Sequence, residues 1–212
     1  MKNLVIIGSG DFAREIVAVV ERINKQNPAW NLLGFLDEVK AAGSEVSGYP
    51  VLGGVNWLDE HLDTYVICSN GNGRIRKKII EDELKGKQIN FATLIDPDAI
   101  LIKDCKVGEG SIVSAGCILT INTVVGKHVI INLSCTLGHD CIVNDYCTIN
   151  PGVNISGKVV LKECVDVGTG TKIIQGKNVC KNVTLGAGSV VVKDIKEPGI
   201  YVGVPAKKNQ KK

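Results

Sequence analysis

Aromatic side chains are scarce. Three Phe, four Tyr and two Trp make up 4% of the 212 residues, and there is one Met. A core with so few rings has to be filled by β-branched and small residues. Nor does any apolar run approach the ~20 residues that cross a bilayer. The opening segment, Met1 to Phe12, holds one lysine and a short apolar run ending in Gly8-Ser9-Gly10. It is too short for a secretory signal and has no small-residue cleavage site. A cytoplasmic protein with no membrane partner is therefore expected. The eight cysteines contain no CxxC pair, and there are three histidines in all. That pattern does not favour a metal site. A net charge of +3, with no basic stripe interleaved with aromatics, argues against nucleic acid as a partner. Lys207, Lys208, Lys211 and Lys212 read as a solvated tail.

What is present is a period of six. Stepping from Ile95 to Val191 by six residues meets Ile, Leu or Val at each of about 17 positions, without a break in register. No helix or ordinary strand has that period. A second series, four residues on, is mostly small or β-branched: it includes Cys105, Cys117, Cys135, Cys141, Cys147, Val153 and Val165, with Lys177 the odd member. Its five cysteines read as small buried apolar residues.

Residues 1–92 have another texture. Asn3–Ile7 reads as a buried strand and Gly8–Gly10 as a tight turn. Residues 11–25 have helical apolar spacing at Phe12, Ile16, Val19, Val20 and Ile23. Leu32–Leu36 and Tyr65–Cys68 read as further strands, and Arg74–Lys85 as a helix. This is a small βαβ, Rossmann-like α/β domain. A glycine turn opening onto a helix N-terminus suits an anion, and acids after the second strand suit sugar hydroxyls. The third glycine of the dinucleotide fingerprint is replaced by Ala13.

The whole chain resembles the hexapeptide-repeat sugar acyltransferases, in particular the N-acetyltransferases of nucleotide-linked 4-amino-sugars of the bacillosamine type and the sialic acid O-acetyltransferase group. The resemblance implies a βαβ domain (1–92) that binds the nucleotide-sugar, a left-handed parallel β-helix (93–195) with three hexapeptides per 18-residue coil, and a C-terminal tail (196–212). The tail is implied to fold back along the last coils, near the nucleotide end of the cofactor. It also implies acetyl-CoA as co-substrate, a UDP- or dTDP-linked amino-sugar as partner, and a homotrimer with active sites between subunits. Substrate positions carry over to Ser9, Gly10, Asp11, Asp37, Glu38, Gly71, Asn72 and Asn132. Coenzyme A positions carry over to Thr148, Thr169 and Ala187. Histidine is usual in the family where this chain has Asp11 and often where it has Thr148.

The segment Asn132-Leu-Ser-Cys-Thr-Leu-Gly-His139-Asp140 matches the family's catalytic-base motif. Acetyl transfer to an amine needs a group that removes a proton near neutral pH, and imidazole is suited to that. Asp140 would orient the ring and stabilise its charged form. Residue 157, one coil on from His139, is glycine, which leaves room for a thioester and offers an N–H to an oxyanion. His61 and His128 are expected to be solvent-facing. The alternative function is O-acetylation of a sugar such as sialic acid. A carbonic-anhydrase-like site would need three histidine ligands, and the repeat holds only His128 and His139.

Overall fold

A computed structural model describes residues 1–209, so Lys211 and Lys212 lie outside the described residues. The N-terminal part is a twisted sheet with α1 (Asp11–Gln26) and α2 (Gly73–Lys78). Its strands are β1 (Lys2–Ile7), β2 (Trp30–Leu36), β3 (Glu45–Val46), β4 (Tyr49–Gly53), β5 (Tyr65–Cys68) and β6 (Asn90–Phe91), ordered β3-β4-β2-β1-β5-β6. β1 lies parallel to both β2 and β5. The carboxyl ends of these three strands therefore open on one side of the sheet, where ligands bind in such folds. The hairpin β3–β4, a short 3-10 helix at Val55–Glu60 and β6 complete the domain. The expected Arg74–Lys85 helix is shorter: α2 gives way to one π turn, Ile79–Glu83.

From Leu94 onward the chain winds into a left-handed parallel β-helix with three faces. On the first face, Ile112–Val113 pairs with Ile130–Ile131, which pairs with Thr148–Ile149, each step 18 residues. The second face stacks Ile118–Ile121, Thr136–Leu137 and Asn154–Ile155. The third stacks Val124–Val125, Ile142–Val143 and Val160–Leu161. The second residue of each short strand points inward, and those from Val113 to Val191 form one buried core. The last turn breaks the period. Gly199–Val202 joins the first face 16 residues beyond its partner, Thr184 against Ile200, and Lys207–Lys208 pairs back on it antiparallel. Lys207 and Lys208 are thus exposed strand residues rather than a loose tail.

The second inward series has a chemical logic beyond size. Every Cys, Ser or Thr there except Ser189 donates to a carbonyl 15 residues on, as Cys117 does to Asn132 O at 3.0 Å, Cys135 to Asn150 O at 3.1 Å, Cys147 to Lys162 O at 3.1 Å and Ser111 to Gly126 O at 2.8 Å. Small side chains with a donor satisfy corner carbonyls that the strand ladder leaves open. All eight cysteines are unpaired.

The two parts pack through the first face. Ile16 and Val20 of α1 share a buried cluster with Leu94, Ile112 and Ile130. Arg22 bridges from α1 to Asp96 at 2.8 Å and Asp98 at 2.5 Å. Higher up, the fully buried Arg76 donates to the carbonyls of Asn70, His128, Tyr146 and Cys147 and to Thr148 Oγ1. Five acceptors compensate a guanidinium that has left water without a carboxylate partner.

This packing corrects the expectation for His128. It is at a coil corner with φ 53°, yet it is only 4% exposed. Phe91 meets its ring edge-on at 4.6 Å and Tyr146 stacks on it at 5.1 Å. The corner would be wet in an isolated coil, and the N-terminal domain covers it. Burial first, and the Arg76 charge second, lower its pKa to about 4. In the unfolded chain His128 protonates below about pH 6.5, so stability is lost as pH falls from there through about 4, by at most about 3 kcal/mol. In thermal denaturation followed against pH, the wild type should lose more stability over that window than His128→Asn, which keeps the corner conformation without titrating.

Candidate active site

Each coil corner needs a left-handed residue at its third position. The corner between the second and third faces supplies Asp104, Asn122, Asp140 and Lys158 in one column, with φ between 55° and 59°. His139 precedes Asp140 on this corner and follows the strand Thr136–Leu137. Its ring is about half exposed, and its Nδ1 lies 2.8 Å from Asp140 Oδ2. The other oxygen of Asp140 accepts from Asn122 Nδ2 at 3.0 Å. The hydrogen bonds from His139 and then Asn122 hold the Asp140 carboxyl below the usual carboxylate range. Gly157 lies directly over the imidazole: a Cβ there would stand 2.5 Å from His139 Nε2. The neighbouring corner amides are used, Gly138 N to Ile155 O and Lys158 N to His139 O, whereas Gly157 N has no acceptor among the described residues. The corner thus combines an imidazole, a carboxylate hydrogen-bonded to it and an N–H without an acceptor among the described residues.

The positions assigned to the nucleotide-sugar come together at the carboxyl ends of β1, β2 and β5, but several are committed to each other. Ser9 is buried, and its Oγ and N both donate to Asp37 Oδ2, at 2.5 and 3.0 Å. Asp37 Oδ1 accepts from the amides of Val39 and Lys40. Burial would raise the Asp37 pKa, and these hydrogen bonds, the Ser9 hydroxyl foremost, bring it below the ordinary value. Glu38 accepts from Val55 N, and Asn72 caps α2 by accepting from Arg74 N and Ile75 N. Gly10, Asp11 and Gly71 are exposed. Lys40, absent from the sequence reading, reaches over the turn to Ser9 O at 2.9 Å.

The coenzyme A positions divide. Thr169 and Ala187 are exposed on the corner between the first and second faces, one coil apart. Asn132 is on that same corner, half-buried. Gly168 beside them is required by packing, since a Cβ would come within 2.6 Å of Leu185 O. Thr148 is different, because its place on the first face is covered. It is 4% exposed, donates to Gly71 O at 2.7 Å and accepts from Arg76. In this chain Thr148 is an interdomain contact with no open surface for a cofactor. His61 is not freely solvated either: it stacks on Trp57 at 3.5 Å, and its Nδ1 is 2.7 Å from Trp57 O. A cavity of about 320 Å³ between α1 and the β-helix, lined by Phe12, Ile16, Val19, Arg22 and Leu133, does not include His139. No group of three or more His, Cys, Asp or Glu that could hold a metal occurs among the described residues.

Residues 3–82 match the family model described as the PglD N-terminal domain. Across the whole chain, the structure is similar to the acetyltransferase domain of PglB from Neisseria gonorrhoeae, with a TM-score of 0.87, 30% identity, and coverage of 99% of this chain and 100% of that one. The chain belongs to the hexapeptide-repeat sugar acetyltransferase family. This acetyltransferase is also similar to a perosamine N-acetyltransferase variant from Caulobacter crescentus, solved in complex with CoA and GDP-perosamine: TM-score 0.89, 26% identity, coverage 100% and 98%. The Neisseria domain has also been solved with acetyl coenzyme A, at 31% identity and a TM-score of 0.86, with 98% and 99% of the chains covered. No curated protein sequence matches the acetyltransferase.

Thr148→Val removes the hydroxyl that donates to Gly71 O and accepts from Arg76 Nη2 across the two domains. Urea denaturation should show a loss of about 1–3 kcal/mol.

Proposed function

We propose that the protein transfers the acetyl group of acetyl-CoA to the amino group of a nucleotide-linked 4-amino-sugar, with His139 as general base. The observation that carries this reading is the imidazole held by Asp140 on one side and lying against Gly157 on the other. His139 Nε2 takes a proton from the amine as it attacks the thioester carbonyl. Asp140 stabilises the imidazolium. The Gly157 N–H faces the developing oxyanion. As the C–S bond breaks, the imidazolium returns the proton to the departing thiolate. The net change is one amide formed and one free thiol released. The Caulobacter relative, solved with CoA and GDP-perosamine, supports both substrate classes. UDP-, dTDP- and GDP-linked acceptors all belong in the test.

The site needs more than one copy of the chain. His139 and Gly157 are on the corner between the second and third faces, while Asn132, Thr169 and Ala187 are on the corner between the first and second. The loop after β5, through Gly71, lies against the first face itself, at Thr148. A homotrimer packed about an axis along the β-helix brings one copy's base to the next copy's acceptor and cofactor edge. Outward apolar residues at Ile100, Ile121, Val124 and Ile142 give that packing a surface. Eight unpaired cysteines suit a reducing compartment, and no described helix is long and apolar enough to cross a membrane, so the site of action proposed is the cytoplasm.

In a thiol-release assay against a panel of 4-amino-sugar nucleotides, the wild type should turn over at least one member, with the product N-acetylated. His139→Ala should lose at least about 100-fold in kcat. A variant as active as the wild type would refute the base.

A further inference from the structure

The carboxylate that holds His139 is itself held from the coil below. Asn122 stands 18 residues before Asp140, in the same column of left-handed corner residues, at φ 56° and 59°. Its Nδ2 donates to Asp140 Oδ1 at 3.0 Å, while Asp140 Oδ2 takes the 2.8 Å contact with His139 Nδ1. The two oxygens of one carboxylate are therefore divided between two partners. Charge fixes the direction of the amide, because the opposite orientation would set an amide oxygen against a carboxylate oxygen. The backbone beneath is anchored, with Asn122 N donating to Lys103 O at 3.0 Å and Asp140 N to Ile121 O at 2.9 Å. The Asp140 side chain is 43% exposed, so water competes for both of its oxygens.

We propose that Asn122 is a positioning residue for acetyl transfer: by holding Asp140 Oδ1 it keeps Oδ2 on His139 Nδ1, and so keeps the lone pair on Nε2, the nitrogen facing Gly157. This rests on the reading of His139 as the base. A neutral imidazole has one N–H. With that hydrogen on Nδ1 and donated to Asp140, Nε2 is free to accept the amine proton. Asn122 donates throughout and changes no protonation state. Nothing in the corner geometry itself demands asparagine, because Asp104 and Lys158 occupy the equivalent positions one coil below Asn122 and one coil above Asp140. The contact with Asp140 is what sets this asparagine apart.

The test uses Asn122→Gly, which keeps the left-handed corner and removes the amide, alone and combined with Asp140→Gly. Because the chain has three histidines, long-range proton–nitrogen spectra of histidine-labelled protein resolve the tautomer of each. The proposal predicts that Asn122→Gly moves His139 away from the Nδ1–H form. It also predicts that kcat falls roughly tenfold with KM changed by less than about twofold. In the Asp140→Gly background, adding Asn122→Gly should lower kcat no further. An unchanged His139 tautomer in Asn122→Gly, or the same tenfold loss without Asp140, would overturn it. A wild type that transfers no acetyl group, yet whose His139 tautomer still responds to Asn122, would remove the reaction assigned above and leave the Asn122–Asp140–His139 relay standing.

Discussion

The structure depends on one backbone constraint: the N–H of a strand residue donates to the carbonyl 17 positions on, as in Leu94 to Ser111, Ile118 to Cys135 and Val124 to Cys141. Repeated on three faces, this bond fixes the coil at 18 residues, and three corners per coil divide it into sixes. The corner must turn sharply, so every sixth residue is left-handed, and even Tyr146, Cys164 and Lys158 adopt that conformation. Such residues ordinarily avoid it. The ladder overrides their local preference because each strand is only two to four residues long and gains its hydrogen bonds from the coils above and below.

The same constraint builds the chemistry. A column of side chains on one corner rises by one coil per 18 residues, so Asn122 meets Asp140, and His139 meets Gly157. No loop is needed to converge on the site, and each group is held by a rigid neighbour. The N-terminal domain works otherwise. It is docked onto the first face by an apolar helix, by Arg22 at the base and by Arg76 higher up, and its own loops at the carboxyl ends of β1 and β2 are braced by Ser9, Asp37 and Glu38. Bracing of this kind leaves Gly10, Asp11 and Gly71 open, which directs attention to backbone and to Asp11 for acceptor choice.

How much of this was legible in the sequence follows from what a period can express. The inward positions, the coil length and the stacking of Gly157 on His139 all come from counting by six and eighteen, and the structure has them where the count puts them. Asn122 was within reach of the same count, one coil below Asp140. The burial of His128 and Thr148 was not, because it is imposed by a different part of the chain laid over an otherwise open face. Arg76 sits in a run, Arg74-Ile-Arg-Lys-Lys78, that looks like a solvated helix surface. Only the docked geometry separates the buried guanidinium from its exposed neighbours. The start of α2 is likewise set by docking, since Gly73 packs against Tyr146 O of the β-helix, where a Cβ would come within 2.0 Å.

In the function proposed, the coil register makes the corner of His139 and Gly157 the place where acetyl transfer occurs. Gly157→Ala tests it most directly. Residue 157 is not in the left-handed region, so alanine fits the backbone, but its Cβ would displace the half-exposed imidazole from the position it holds. The variant should keep the wild-type circular dichroism spectrum and have a kcat for acetyl transfer at least about tenfold lower. A folded Gly157→Ala protein with wild-type kcat would contradict it.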